Sequence, residues 1–182
     1  MEKIAFIPAR SGSTRLKNKN ILKIKNRPLI YWTVKKAILL NCFDRIIFSS
    51  DSKEYFRKLI KYLKKDNINA NNIIFDNRNS KEAGTKKKIF DYIKFNLIKK
   101  FDFSNNDLIV QMLPTAPLRK NKTIIKPINL AVRKKKNIFS ICKYDFHLSF
   151  AMSYNKKNWK PVFKNSPLVN GKTQSQDQKE FY

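Results

Sequence analysis

Lys3-Ile4-Ala5-Phe6-Ile7-Pro8-Ala9-Arg10-Ser11-Gly12-Ser13, continued by Thr14-Arg15-Leu16-Lys17-Asn18-Lys19-Asn20, decides the fold. A short apolar run that empties into small residues and fixed positive charge is one way an α/β protein builds a seat for a polyphosphate at the edge of its sheet. The loop supplies Arg10, Arg15, Lys17 and Lys19, the hydroxyls of Ser11, Ser13 and Thr14, and several backbone N–H groups. Guanidinium forks suit paired phosphate oxygens, and an ammonium adds a movable point charge. A solvated basic loop is the bland alternative, and it loses ground because the cluster follows a buried strand at the ligand-bearing end of a sheet.

Outward from this stretch, short apolar runs alternate with helical patterns. Strands are expected at Lys3 to Pro8, Arg45 to Ser49, Ile73 to Phe75, Asp107 to Gln111 and Asn137 to Cys142. Between them, apolar residues recur at helical spacing: Ile30, Val34, Ala37 and Ile38; Phe56, Leu59, Ile60 and Leu63; Ile89, Phe90, Ile93 and Leu97; Ile124, Ile128, Ala131 and Val132. Such alternation predicts a Rossmann-like α/β fold, a mostly parallel sheet with helices on both faces. Pro28 suits the first turn of a helix, and Asp51 or Ser52 can cap the next. Pro127 removes a backbone donor, so the fourth helix should begin late or kink. The 182 residues read as one domain, 1–182, with an irregular substrate or dimer-contact region at 143–182.

Composition bounds the function. No apolar stretch approaches the ~20 residues that span a bilayer, and the start does not lead into a signal peptide. Cys42 and Cys142 lack metal-ligand spacing and read as buried thiols in a reducing cytoplasm. The 40 Lys+Arg against 13 Asp+Glu, a formal +27, raise nucleic-acid binding. Lys, Asn and Ile are abundant together and share AT-rich codons, however, and the lysines are scattered over predicted helix faces, which favours a solvated surface. Neither a Walker pattern nor GxGxxG occurs. His147 has no Ser, Cys or second His arranged around it, which argues against a Ser-His-Asp hydrolase and leaves a structural, substrate-facing or basic role open.

In a doubly wound sheet the chemistry lies just beyond the strands' C-terminal ends. After the first run comes Arg10 to Asn20, after the second Ser49-Ser50-Asp51-Ser52, and after the fourth Leu113 to Arg119; Gly12 and Gly84, two of only three glycines, fall on the same rim. Glycines kept so sparingly mark sharp turns or close approach to a ligand.

These blocks resemble the cytidylyltransferases that activate acidic nine-carbon sugars and the eight-carbon sugar KDO. Ile7 to Ser13 with Arg15, Lys19 and Asn20 is similar to the family's opening motif, Phe43 to Ser52 to its second-strand segment, and Leu113 to Arg119 to its proline-rich substrate loop. Lys143 to Phe146, Ser175-Gln176-Asp177, Phe181-Tyr182 and Thr115-Ala116-Pro117 look most like the pseudaminic-acid members, whereas Leu118-Arg119 is closer to the sialic and legionaminic ones. The resemblance implies a nucleotide-diphospho-sugar transferase fold and a reaction of CTP with an acidic nonulosonic sugar to give CMP-sugar and pyrophosphate for surface glycans. It implies Arg10 and Lys19 as catalytic residues and nucleotide contacts from Ala9, Arg10, Ser11, Gly12, Ser13, Arg15, Lys19, Asn20, Gly84 and Thr85. Thr115, Arg119 and Gln176 would face the sugar, and Asp51 would cap a helix or touch ligand. It further implies Mg²⁺ and a homodimer, while composition and the scattered lysines point to a cytoplasmic protein with no membrane partner and count against nucleic acid. A KDO cytidylyltransferase is the alternative within this chemistry, and a non-catalytic basic nucleic-acid-binding module the alternative outside it.

Three departures stand out. Leu113 occupies a position where the family commonly has Gln, and Thr14 replaces a lysine of the sialic branch. The sequence stops at Tyr182, ahead of the family's Asp-bearing Mg²⁺ block, so no metal ligand is identifiable and a C-terminal truncation is expected.

Overall fold

β1 (Lys3–Pro8) is buried along almost its whole length, because both faces of the sheet it centres are covered. A computed structural model describes residues 1–13, 16–79, 82–84, 88–144, 147–155 and 157–171. The chain divides into two compact units, Met1–Lys136 and Asn137–Tyr182, where the sequence reading took one domain.

The first unit follows β1 with a two-residue ribbon (Lys23–Ile24 against Arg27–Pro28), α1 (Leu29–Leu39), β2 (Arg45–Ser50), α2 (Lys53–Lys65) and β3 (Ile73–Asn77). Next comes α3 (Ile89–Tyr92), which runs through a π-helical segment, Ile93–Leu97, into Ile98–Lys100; β4 (Leu108–Gln111) and α4 (Lys122–Lys134) complete it. The four strands lie in the order β3-β2-β1-β4, all parallel, with Ala5 opposite Ile46 on one side and Val110 on the other. β1 and β4 therefore flank the point where the strand order reverses, the place where open α/β sheets hold ligands.

Side-chain alternation along the strands divides the core. Ala5, Ile7, Ile46 and Phe48 pack with Ile30 and Val34 of α1, Leu59 and Leu63 of α2, and Ile124 and Ile128 of α4. Ile4, Phe6 and Ile47 face the other way, against Tyr92, Leu97 and Phe103. Carboxylates cap the strand starts: Glu2 N–H donates to Asp107 at 2.7 Å and Lys3 N–H to Asp44 at 2.7 Å.

Local chemistry explains most boundaries. Ser52 caps α2, its hydroxyl accepting from Tyr55 N–H at 3.3 Å. Pro28 stands just outside α1 as its cap. Lys25 and Asn26 both adopt positive φ in the ribbon's two-residue turn. Pro127 lies inside α4, which begins a full turn earlier at Lys122. The late start does not occur, because Ile124 and Ile128 bury on either side of the proline and outweigh one lost hydrogen bond.

The second unit holds a 3₁₀ turn (Leu148–Phe150), a hairpin of β5 (Met152–Tyr154) and β6 (Trp159–Pro161), and a short α5 (Pro167–Asn170) closed by Gly171 at φ +74°. The strand expected at Asn137 to Cys142 is absent. Phe139 and Ile141 of that run are exposed, and β propensity without a neighbouring ladder does not make a strand. The buried-thiol expectation fails for Cys142, which is exposed; Cys42 is half-buried, and that burial pushes its thiol up.

Candidate functional site

The parallel ladder continues into the loops and fixes where the rim begins. Ala9 N–H donates to the Ser49 carbonyl at 2.8 Å, Met112 N–H to the Phe6 carbonyl at 2.8 Å, and Arg78 N–H to the Ser50 carbonyl at 2.9 Å. Beyond these bonds lies a cleft of about 320 Å³. Arg10 enters it after β1, Arg78 after β3 and Leu113 after β4, while Glu82, Ala83, Gly84, Ile89 and Pro8 supply the remaining walls. Two guanidiniums, one carboxylate and an apolar lining thus meet at the switch point of the sheet.

The first loop is held by its own neighbours. Ser11 donates its N–H to Asp51 Oδ1 at 2.7 Å and its hydroxyl to Asp51 Oδ2 at 2.9 Å. Buried Asn20 donates its side-chain N–H to the Arg10 carbonyl at 2.8 Å. Asp51 is therefore neither the cap of α2 nor a free ligand contact but a strut under the loop, and Ser11 spends both its donors on that strut. Ala9 is likewise engaged, its carbonyl accepting the Ser50 hydroxyl at 2.8 Å. Gly12 has ordinary φ, and a Cβ there would meet nothing within 4 Å. Among the described residues no contact demands glycine at this position, so the sharp-turn reason fails.

Of the expected nucleotide residues, Arg10 and Gly84 line the cleft. Half-buried Lys19 sits in the 3₁₀ turn Lys19–Ile21, outside the cleft's lining, and Ser13 is half-buried on the loop itself. Exposed Thr115 and half-buried Arg119 follow β4 but also stand outside the lining; burial lowers the Arg119 guanidinium's pKa. Arg15, Thr85 and Gln176 lie outside the described residues. His147 belongs to the second unit, ahead of its 3₁₀ turn.

Arg78 was missed from sequence. Its residue is 5% exposed, one guanidinium N–H donates to the Ser49 carbonyl at 3.3 Å, its Nε has no hydrogen-bond partner among the described residues, and its carbon lies 5.5 Å from the centre of the Tyr92 ring. Burial lowers its pKa, while Tyr92, Asp76, Asp51 and Glu82 pull the other way. The signal was available: Arg78 follows the third strand as Arg10 follows the first.

Carboxylates near the rim are occupied. Asp51 is taken by Ser11, and Glu82 accepts from Asn79 N–H at 2.9 Å and Asn96 at 3.1 Å. Among the described residues no group of three or more His, Cys, Asp or Glu could hold a metal ion. Nor, among them, is any helix long and apolar enough to cross a membrane.

Comparison with known proteins adds three findings. A family model described as cytidylyltransferase matches residues 4–144. The chain is 28% identical to a pseudaminic acid cytidylyltransferase of Campylobacter jejuni over 100% of its own length and 75% of that protein, and 32% identical to an N-acylneuraminate cytidylyltransferase of Escherichia coli over 70% of its length and 27% of that protein. Among solved structures, CMP:2-keto-3-deoxy-manno-octonic acid synthetase complexed with CTP superposes with a TM-score of 0.56 at 15% identity, covering 74% of this chain and 49% of that one. The structural likeness concerns the fold alone.

Proposed function

The chain belongs to the cytidylyltransferase family, and from that premise we propose that its cleft binds CTP and transfers the cytidylyl group to an acidic nonulosonic sugar, releasing pyrophosphate. The anomeric hydroxyl of the sugar attacks the α-phosphorus, a new P–O bond forms as the bond to the β-phosphate oxygen breaks, and the hydroxyl proton passes to solvent. Such a reaction asks for positioning and charge neutralisation more than for covalent chemistry. The observation that carries the reading is the meeting of Arg10 and Arg78, from the ends of two different strands, in one cleft beside Leu113.

Within this reading Arg10 and Arg78 pair with nucleotide oxygens through their guanidinium forks. Gly12 lets the loop backbone come close to the phosphates. Lys19, Arg15 and Thr85 extend the nucleotide site, and Arg119, Thr115 and Gln176 meet the sugar and its carboxylate. Mg²⁺ enters as a companion of the triphosphate oxygens, and no step is assigned to it. Pseudaminic, legionaminic and sialic acids are the substrate class, and the enzyme acts in the cytoplasm as a homodimer.

The test is twofold. CTP should raise the melting temperature more than ATP or GTP, and pyrophosphate should appear when CTP is supplied with one of a panel of nonulosonic acids. Equal stabilisation by all three nucleotides, or no pyrophosphate with any sugar of the panel, overturns the proposal.

A further inference from the structure

Behind the cleft lies a polar group that the reaction does not use. Asp76, next to the C-terminal end of β3, is fully buried, and its carboxylate accepts from three side chains. Ser49 and Tyr92 hydroxyls both donate to Oδ2, at 2.5 and 2.7 Å, and Lys100 Nζ donates to Oδ1 at 2.7 Å. A buried carboxylate costs stability against an apolar residue of similar size even when it is paired. Ile73 and Phe75 of β3 pack against one apolar core cluster and Ile74 against the other.

What Asp76 holds suggests why it is there. Arg78 rests on two things: the Ser49 carbonyl, which its guanidinium reaches at 3.3 Å, and the Tyr92 ring, whose centre lies 5.5 Å away. Both belong to residues whose hydroxyls end on the same oxygen of Asp76. Burial, then the hydrogen bond to Asp76, raises the Tyr92 phenol's pKa, so this hydroxyl stays a donor across the physiological range. One carboxylate fixes the floor and one wall of the Arg78 site, and its charge also acts on the guanidinium directly.

We propose that Asp76 is a positioning residue for the nucleotide reaction, aiming the Arg78 guanidinium into the cleft through Ser49 and Tyr92. This rests on the reading of the cleft as a CTP site. It assigns Lys100 a supporting part, since its ammonium pairs with Asp76 Oδ1 at 2.7 Å and holds that oxygen in place. The Tyr92 hydroxyl, rather than its ring alone, becomes a determinant of nucleotide affinity.

The test is a double-mutant cycle read by CTP titration on the full chain, each variant held well below its melting temperature. Arg78→Met, Asp76→Asn and Asp76→Asn with Arg78→Met are compared with the wild type. Asp76→Asn should raise the CTP dissociation constant about tenfold, a mid-range coupling for neighbours. In the Arg78→Met background it should add nothing. Tyr92→Phe, which keeps the ring and loses the donor, should weaken CTP in the same Arg78-dependent way and serves if Asp76→Asn does not fold. If Arg78→Met binds CTP as tightly as wild type, the reading of the cleft fails and takes this proposal with it. If Arg78→Met is impaired while Asp76→Asn and Tyr92→Phe bind normally, or weaken binding equally with and without Arg78, only the positioning role is overturned.

Discussion

Replacing Asp51 with alanine removes both hydrogen bonds that seat the first loop, the Ser11 N–H bond of 2.7 Å and the Ser11 hydroxyl bond of 2.9 Å. A hydrogen bond to a charged group is worth about 1.5–3 kcal/mol. Asp51 is only half-buried, so the lower end applies, giving about 3 kcal/mol for the pair. Ser11→Ala removes the hydroxyl bond alone and should cost about half as much. For a chain of this size about 3 kcal/mol corresponds to a fall of roughly 6–12 °C in melting temperature. The assay is urea unfolding of the two single variants and the double variant, with unchanged denaturant slopes confirming a common unfolded state. In the Asp51→Ala background Ser11→Ala should cost nothing, because its partner is gone. If Ser11→Ala costs the same in both backgrounds, the two residues are not coupled and the strut under the loop does not exist.

Three further outcomes follow from particular residues. Gly12→Ala should leave stability within about 0.5 kcal/mol of wild type, since its Cβ meets open space, yet weaken CTP in a titration; unchanged affinity would deny close approach of the nucleotide to the loop. Asp66 accepts from Arg27 Nε at 2.8 Å and from Tyr31, and Arg27, followed by Tyr31, holds its carboxyl well below the usual carboxylate range. A depressed pKa contributes stability above the unfolded value of about 3.9 and loses it below. The melting-temperature gap between wild type and Asp66→Asn should therefore be flat from about pH 5 to 8 and shrink below about pH 4; a gap independent of pH in acid would refute this. At fixed salt, Arg10→Ala should weaken CTP by about tenfold or more, while Lys134→Ala on the last turn of α4 does little; equal losses would mean diffuse attraction to a basic surface.

How much of this was legible in the sequence depends on whether the signal was local. β1, β2 and β4 announced themselves as apolar runs, and Arg10 followed from the first of them, whereas Gly84 was singled out by the scarcity of glycine and the family resemblance. β3 was read as ending at Phe75, but it continues through Asp76 and Asn77. A carboxylate inside a strand defeats a search for apolar runs, because its burial depends on Ser49, Tyr92 and Lys100, whose positions only the fold supplies. Arg78 was lost with the strand's true end, although its place just after a strand was a signal the sequence carried. Asp51 was read through its neighbour in sequence, the cap position of α2, whereas its partner Ser11 lies 40 residues away. The run from Asn137 to Cys142 has strand composition but no sheet to join among the described residues, a matter of tertiary context rather than propensity.

Hydrogen–deuterium exchange with and without CTP tests the central claim most directly. Slowed exchange is expected in the segments that carry the cleft residues Arg10, Arg78, Glu82, Gly84 and Leu113, with residues 126–136 of the first unit unchanged. Protection spread evenly over the basic helices, with none concentrated at those segments, would contradict the account.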